Sequence, residues 1–254
     1  LYGGWALVVA FDPTGGAVIG KTLKLVVPDK KYDELPNANM TGYSFAGWFT
    51  EKEEGKGEKV TENTVVNITD NQTLYAQWTA NNYPVFFDVN GGDALSVSDK
   101  IKEEAFDSTY GELPTPNKTG QGFTGWLNNE TNTLITEDTV VNITDNQTLY
   151  AQWTINSYNV TFVSDGVVMK EDTLGYGAEI VFPMNLNLTK EGHSFSGWVA
   201  DVTVTDNKMP ASNVVFTAKW TISSYTITFD YGNGTNTTAR FKFNETITYP
   251  TTPI

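Results

Sequence analysis

Apolar and polar residues alternate with a period of two along much of the chain, which is the pattern of a half-buried β-strand. The clearest runs are YNVTFV, TLYAQWT and VVFTAKWT, and they are bounded by turns rich in glycine, asparagine and aspartate. Helical periodicity is weak, and KIKEEAF at 100–106 is the main candidate for a helical turn. The pattern predicts a mainly β protein, or an α+β protein with at most a short helix.

The strand pattern recurs because the chain repeats itself. Residues 61–79 and 136–154 differ only at Asn63 against Asp138. A tyrosine-to-proline segment also recurs four times along the chain, as YDELP, YGELP, YGAEIVFP and TITYP. A period of about 70 residues predicts tandem units that each form one small domain. The expected divisions are a closing-strand-like segment at 1–6, repeats at 7–79, 83–154 and 158–221, and an incomplete fourth repeat at 225–254.

A repeat of this length is near the lower limit for an independent core, so a few large aromatic side chains are expected to supply much of the burial. Each repeat has two tryptophans, and a glycine precedes the first of them, at Gly47, Gly125 and Gly197. This glycine is expected to allow a β-bulge or a close strand approach. The predicted core aromatic residues are Phe11, Phe45, Trp48, Trp78, Phe87, Phe123, Trp126, Trp153, Phe162, Phe195, Trp198, Trp220 and Phe229.

The segments between repeats are short. TANN, TINS and TISS, four residues each, separate a closing tryptophan from the first strand of the next repeat. Linkers of this length do not let neighbouring domains tumble freely. The sequence therefore predicts an elongated, semi-rigid rod.

The order FDPTGG, GYSFAGWFT, TLYAQWT, together with YTITFD, resembles the Listeria-Bacteroides repeat, the module known as the B-repeat of internalin surface proteins. The resemblance covers three full copies and part of a fourth. Repeat two departs from it in reading GQGFTGW, and repeat three is shorter between its two tryptophans. The resemblance implies β-grasp-like modules that serve as spacers or interaction modules in large secreted or surface-anchored proteins.

The net charge of -14 repels phosphate backbones and anionic membranes, so nucleic acid binding is not expected. No apolar run approaches the roughly 20 residues that a membrane helix needs, so membrane insertion of this segment is not expected either. The chain has no cysteine, which excludes disulfides and thiolate chemistry. Acceptor motifs for N-glycosylation are more frequent than composition predicts, and they indicate either a glycosylated extracellular surface or an incidental product of Asn- and Thr-rich strands. They are Asn39, Asn67, Asn71, Asn117, Asn129, Asn142, Asn146, Asn159, Asn187, Asn233, Asn236 and Asn244.

No residue pattern indicates catalysis or a cofactor. His193 is the single histidine, and two of the three repeats lack it. Lys170 and Lys219 lie near strands but are not marked out for an amide crosslink with asparagine. Oxygen ligands in glycine turns suit Ca²⁺, although no EF-hand loop occurs and turn chemistry explains them, so no metal is expected. These oxygen donors are Asp12, Asp70, Asn71, Asp88, Asp93, Asp145 and Asn146.

The opening LYGGW matches the closing strand of a repeat, and the fourth repeat lacks its closing strand. In one interpretation the chain is an excerpt of a longer array. In the other, the strand containing Leu1, Tyr2 and Trp5 completes the last repeat of a neighbouring subunit and builds a head-to-tail filament.

These observations predict a non-enzymatic, extracellular or cell-surface repeat protein that forms a stalk or a filament and contacts mainly itself. The alternative is an adhesin module that binds a host protein or glycan through strand edges or loops. An exposed apolar patch present in one repeat and absent from the others would favour binding, whereas a uniform polar surface would favour the spacer.

Overall fold

The computed structural model describes residues 5–184 and 186–251, and within them it contains strands and turns but no helix. These residues form two compact units. The first comprises residues 5–116 and 123–152, and the second comprises residues 117–122, 153–184 and 186–251. The mainly β architecture in tandem repeats is confirmed, and the finer assignment to a β-grasp-like unit stays a prediction.

The first repeat forms a five-stranded mixed sheet in the order β3-β1-β7-β5-β6. Its central strands β1 and β7 run parallel with Phe11 opposite Leu74, while β3, β5 and β6 pair antiparallel to their neighbours. A second, two-stranded sheet joins β2 to β4. The strands are β1 (Leu7–Asp12), β2 (Ala17–Ile19), β3 (Leu23–Val26), β4 (Asn37–Asn39), β5 (Tyr43–Phe49), β6 (Lys59–Val60) and β7 (Gln72–Ala80).

The second repeat reproduces this sheet in the order β11-β10-β12-β8-β9, again with a parallel pair of β8 and β12 at its centre. The helical turn expected at 100–106 is wrong, because Ile101–Ala105 pairs antiparallel with β8 along its whole length. The strands are β8 (Asn82–Asp88), β9 (Ile101–Ala105), β10 (Gln121–Asn128), β11 (Thr133–Ile135) and β12 (Gln147–Ile155). The ends of β10 and β12 belong to the second unit.

The third repeat has a four-stranded sheet in the order β14-β13-β16-β15, and a two-stranded hairpin of β17 and β18 follows it. The strands β13 and β16 form the parallel pair. Within the described residues this sheet has no strand corresponding to β6 or β11. The strands are β13 (Ser157–Ser164), β14 (Val167–Gly175), β15 (His193–Ala200), β16 (Val214–Ile222), β17 (Ser224–Asp230) and β18 (Asn236–Lys242).

Aliphatic residues of the parallel strands and one tryptophan lie at the centre of each core. In the first repeat, Val9 and Leu74 have no exposed surface, and the ring of Trp48 packs 4.8 Å from that of Phe11 between centroids. In the third repeat, Phe162 stacks on Phe216 at 5.2 Å. Burial of aliphatic and aromatic surface at this scale is the main stabilising contribution to such small domains.

The thirteen aromatic residues expected in the core are not equally covered. Those below a tenth exposed are Phe11, Trp48, Trp78, Phe87, Trp126 and Phe162. Those partly buried are Phe45, Phe123, Trp153, Trp198, Trp220 and Phe229. Phe195 departs from the expectation because 40% of its surface is exposed, although its ring still packs edge-on against Trp198. The shorter third repeat leaves open space beside Gly197, where the first repeat places the side chain of Lys59 against Gly47.

The bulge expected at the glycine of each FxGW motif is confirmed in two repeats. The pairing of β5 with β7 shifts register between Phe45 and Gly47, and that of β15 with β16 shifts between Phe195 and Gly197. Gly47 has a φ of 133° and Gly197 a φ of 129°, which L-residues rarely adopt.

In the third repeat, the tyrosine that opens the tyrosine-to-proline segment does not occupy the position of the corresponding tyrosines in the first two repeats. The N–H groups of Tyr32, Tyr110 and Ile180 donate to equivalent loop carbonyls, those of Thr64, Thr139 and Asn207, at 3.0, 3.1 and 2.7 Å. Ile180 therefore occupies the buried position of the two tyrosines, and Tyr176, which opens the YGAEIVFP segment, lies at another place.

Candidate functional site

The connections between successive repeats are the most regular feature outside the cores, and each consists of a single residue. Asn81 separates β7 from β8, Asn156 separates β12 from β13, and Ser223 separates β16 from β17. The four-residue linkers expected from the sequence are therefore wrong. The strands run on past the closing tryptophan because Ser44 and Tyr43 of β5 still pair with Thr79 and Ala80.

Both main-chain groups of each connecting residue are hydrogen-bonded. Asn81 N–H donates to Gly42 O of the preceding repeat at 2.9 Å, and Asn81 O accepts from Phe106 N–H of the following repeat at 2.9 Å. The same relay of two hydrogen bonds through one connecting residue joins the second repeat to the third, and the third repeat to the final hairpin. It runs through Gly120, Asn156 and Tyr176 at 3.0 and 2.9 Å, and through Gly192, Ser223 and Phe243 at 2.8 and 2.9 Å.

An aromatic ring of the following segment lies directly on the glycine of the preceding repeat. A Cβ atom built on Gly42 would lie 2.3 Å from the ring of Phe106, one on Gly120 2.1 Å from Tyr176, and one on Gly192 2.0 Å from Phe243. No side chain fits in these spaces without moving the ring. The three glycines also have positive φ angles of 79°, 70° and 65°. We call each set of glycine, connecting residue and aromatic residue a junction.

The sequence contained the signal for these glycines. Each of these glycines opens the GxxFxGW motif, in which x is any residue. The sequence pattern predicted a role, the β-bulge, only for the glycine that precedes the tryptophan. The aromatic partner was missed because Phe106, Tyr176 and Phe243 lie far from the motif in sequence. In each case the aromatic residue is followed by one with a left-handed backbone, Asp107, Gly177 or Asn244.

The first junction has a side-chain bond in addition to the shared relay. The hydroxyl of Tyr43 donates to Asp107 Oδ2 at 2.7 Å, and its ring packs edge-on against Phe106 at 5.5 Å. This hydrogen bond to Asp107 is the main cause of a raised pKa of Tyr43, and desolvation adds to it.

The single histidine lies at the junction with the final hairpin. The ring of His193 is 6.4 Å from that of Phe243, and its Nδ1 lies 2.7 Å from Glu191 O. Beside it, the hydroxyls of Ser194 and Ser223 are 3.1 Å apart. His193 thus stands where the first repeat has Tyr43.

The residues considered for chemistry serve turns or lie apart. Asp12 Oδ1 accepts from Thr14 N–H at 2.8 Å, Asp88 Oδ1 from Asn90 N–H at 2.8 Å, and Asn71 Oδ1 from Val8 N–H at 2.8 Å. Across the described part of the chain, no three acidic or histidine side chains converge as metal ligands would. The other oxygen donors considered for Ca²⁺, Asp70, Asp93, Asp145 and Asn146, are all exposed.

In the described ranges, neither lysine considered for a crosslink forms a hydrogen bond with an asparagine side chain. Lys170 forms an exposed ion pair with Asp172 at 2.7 Å. Lys219 is exposed, and its main-chain oxygen accepts from the hydroxyl of Ser196 at 3.0 Å.

All twelve acceptor asparagines are exposed. Of the strand considered for subunit contact, Leu1 and Tyr2 lie outside the described residues. Trp5 lies outside any strand with 88% of its surface exposed. Among the residues that the structure describes, there is no helix of the length and apolarity that crossing a membrane requires.

The chain is similar to several bacterial proteins. A protein of Evansella cellulosilytica that is named as a membrane protein is 37% identical over 188 residues, which cover 71% of this chain and 27% of the relative. A second, named as a Gly-rich membrane protein, is 34% identical over 84% of this chain and 25% of its own length. Internalin H of Listeria monocytogenes is 32% identical over 55% of this chain and 25% of its own length.

The chain therefore spans about a quarter of the length of these relatives. The family model of the Listeria-Bacteroides repeat domain matches three successive segments, residues 8–77, 83–152 and 158–222. Because these matches cover most of the sequence, the chain belongs to the Listeria-Bacteroides repeat family.

Proposed function

We propose that this chain is a non-enzymatic spacer on a cell surface, a stalk of repeats whose junctions resist bending. One observation carries the proposal, which is the single-residue connection that recurs three times with both main-chain groups bonded and an aromatic ring on the opposing glycine. The surface location is supported by the similarity to Internalin H and to proteins named as membrane proteins.

The junction geometry limits the bending of one repeat against the next. A one-residue connection has two free backbone dihedrals, and here its N–H and C=O are fixed from opposite sides, by Gly42 and Phe106 in the first case. Bending would break these bonds, each worth about 1 kcal/mol net, and would uncover an aromatic ring. A flexible linker of several residues would have no such restoring force.

Glycosylation and adhesion are finer possibilities for the same surface protein. Exposure of all twelve acceptor asparagines supports glycosylation, because a transferase needs an accessible side chain. Adhesion is supported by Leu23 and Leu25, two exposed leucines on the edge strand β3. Polymerisation through Leu1, Tyr2 and Trp5 stays a prediction.

Distance measurements between repeats test the spacer directly. Since the chain has no cysteine, Glu62→Cys and Glu137→Cys place two spin labels on equivalent exposed loops of the first and second repeats. We expect pulsed electron spin resonance to give a narrow distance distribution, and Phe106→Ala to broaden it. Val97→Ala is the control, because Val97 is 87% exposed in the same repeat and lies outside the junction.

Circular dichroism of each variant separates a loosened junction from an unfolded repeat. A broad distribution in the parent protein would contradict the spacer, as would a narrow one that Phe106→Ala leaves unchanged while the repeats stay folded.

A further inference from the structure

The first repeat has two exposed leucines at alternate positions of an edge strand, and the equivalent positions of the other repeats do not hold such a pair. The strand β3 is the outermost strand of its sheet, and Leu23 and Leu25 on it are 58% and 69% exposed. Ile19 on the adjacent β2 is 55% exposed. Exposed alternate leucines on an edge strand are uncommon, because such an edge invites pairing with another chain.

The main chain of the same two residues points outward. Phe11 N–H donates to Thr22 O at 2.9 Å, and Val9 lies opposite Lys24. Bonded pairs alternate in an antiparallel ladder, so Thr22 and Lys24 direct their main-chain groups at β1, whereas Leu23 and Leu25 direct theirs away from it. Side chains and hydrogen-bonding groups are therefore both available at one edge.

The equivalent pairs of positions in the other repeats each contain at least one polar residue. The edge strands β3, β9 and β14 pair antiparallel with the equivalent strands β1, β8 and β13. These pairings place Ile101 and Glu103 of β9, and Glu171 and Thr173 of β14, where β3 has its two leucines. Charged and polar side chains on an edge discourage strand addition. The first repeat alone has two apolar residues there.

The charge of the edge also differs in sign. Residues 20–31 contain four lysines and one aspartate, a net charge of +3 in a chain whose net charge is -14. The equivalent windows, residues 98–109 and 168–179, each have a net charge of -2, from two lysines against four acids and from one lysine against three acids. Lys21, two residues before β3, and Lys30, four residues after it, are both exposed.

A groove of about 650 Å³ runs along this edge between β3 and residues 34–36. Phe11, Ile19, Leu23 and Leu25 contribute apolar lining, and Lys24 donates across the groove to the main-chain oxygen of Glu34. The groove gives the side chains of an added strand apolar surface to cover.

We propose that β3 binds an extended acidic segment of a partner protein as an added strand. Apolar residues at alternate positions of that segment cover Leu23 and Leu25, its main chain bonds to theirs, and its acidic residues face Lys21 and Lys30. The positive charge of the edge attracts an acidic segment, whereas two copies of this chain, each with a net charge of -14, repel each other at long range. This role is additional to the spacer and does not depend on the junctions.

Fluorescence polarisation with a labelled, end-capped peptide of valine and threonine in alternation, flanked by Asp-Glu pairs, tests this inference on the full chain. We expect saturable binding that weakens with salt. Leu25→Glu, which copies the second repeat, should raise Kd about tenfold or more, the effect of losing one buried leucine. Val97→Glu makes the same charge change at another exposed site and should leave Kd unchanged.

A peptide methylated at alternate main-chain nitrogens keeps its side chains but cannot pair as a strand, so it should not bind. The inference is overturned by the absence of saturable binding, by equal binding of the methylated peptide, or by a Leu25→Glu variant that binds like the parent. Sedimentation velocity supplies one further outcome. If the chain alone forms a dimer that Leu25→Glu abolishes, a second copy rather than an acidic partner occupies the edge, and the proposal is wrong.

Discussion

The ring of Phe106 in the second repeat covers Gly42 in the first so closely that a Cβ on Gly42 would lie 2.3 Å from it. Because the same contact recurs at Gly120 and Gly192, the repeats are joined by packing and hydrogen bonds as well as by the chain. The contact depends on the absence of a side chain, which makes glycine-to-alanine substitution a sharp test.

Gly42→Ala should loosen the first junction, whereas Gly55→Ala should not. Both glycines have a positive φ, 79° and 71°, so both variants bear a similar backbone cost of about 1 kcal/mol. Gly55 has open space where its Cβ would lie, so the clash with Phe106 is specific to Gly42. Pulsed electron spin resonance between the first two repeats should show broadening in Gly42→Ala alone. Equal widths for the two variants would contradict the packing role of the ring.

The local features of the fold could be predicted from sequence, and those that depend on contacts through space could not. Alternation identified most of the strands, and the FxGW glycines marked the bulges, because both are set within a few residues. The single-residue junctions could not be predicted without knowing that Ala80 still pairs with Tyr43. The edge of β3 required knowing which strand lies outermost. Ile180 replaces a buried tyrosine with no local signal, so the sequence alignment placed Tyr176 there instead.

Replacing the closing tryptophan by phenylalanine should cost more in the first repeat than in the third. Trp78 Nε1–H donates to Pro13 O at 3.1 Å, while Trp220 Nε1, although buried, has no partner among the described residues. Trp78→Phe breaks a hydrogen bond, whereas Trp220→Phe removes an unsatisfied donor. We expect Trp78→Phe to lower the opening free energy of its repeat by about 1–2 kcal/mol more than Trp220→Phe lowers that of the third repeat. Hydrogen exchange at Leu74 and Phe216 measures it, and equal losses would show that the bond contributes nothing.

Gln77→Ala should expose the loop of residues 51–56 to trypsin. The amide of Gln77 is buried, its Nε2 donates to the oxygens of Glu53 and Lys56 at 2.9 and 2.8 Å, and its Oε1 accepts from Gly55 N–H at 3.1 Å. Losing these bonds costs about 1–3 kcal/mol, so local opening and cleavage should rise about tenfold or more. Within the part of the chain that the structure describes, the side chain of Gln152 bonds to the main-chain oxygens of Tyr150 and Ala151 in its own strand, and Gln152→Ala is the control. Unchanged cleavage in Gln77→Ala would refute the role of this side chain.

Alkaline pH should destabilise the first two repeats. Burial raises the pKa of both Tyr32 and Tyr110 above the ordinary value near 10. A raised folded pKa means that the stabilisation is fully present below the unfolded pKa and is lost as pH rises through the folded one. The free energy of unfolding in urea should therefore fall above about pH 10, and less steeply in Tyr32→Phe. A decline of equal slope in that variant would assign the effect to other groups.

Glu104→Val should stabilise the second repeat. Glu104 is 5% exposed, and its Oε1 lies 2.9 Å from Lys102 Nζ without hydrogen-bond geometry and without another partner in the described ranges. The equivalent position of the first repeat holds Val26, which is 4% exposed. Because Lys102 also donates to the main-chain oxygens of Tyr110 and Glu112, its ammonium keeps partners when the carboxylate is removed.

Removing one partner of a buried ion pair destabilises a protein when the other charge is left buried and unpaired. The side chain of Lys102 is 36% exposed and keeps two main-chain acceptors, so we expect the loss of the buried carboxylate to stabilise the repeat. Hydrogen exchange at Leu149 in the second repeat measures the gain, and Glu103→Val on the exposed side of the same strand is the matched control. Faster exchange at Leu149 in Glu104→Val would mean that the carboxylate contributes more through Lys102 than its burial costs.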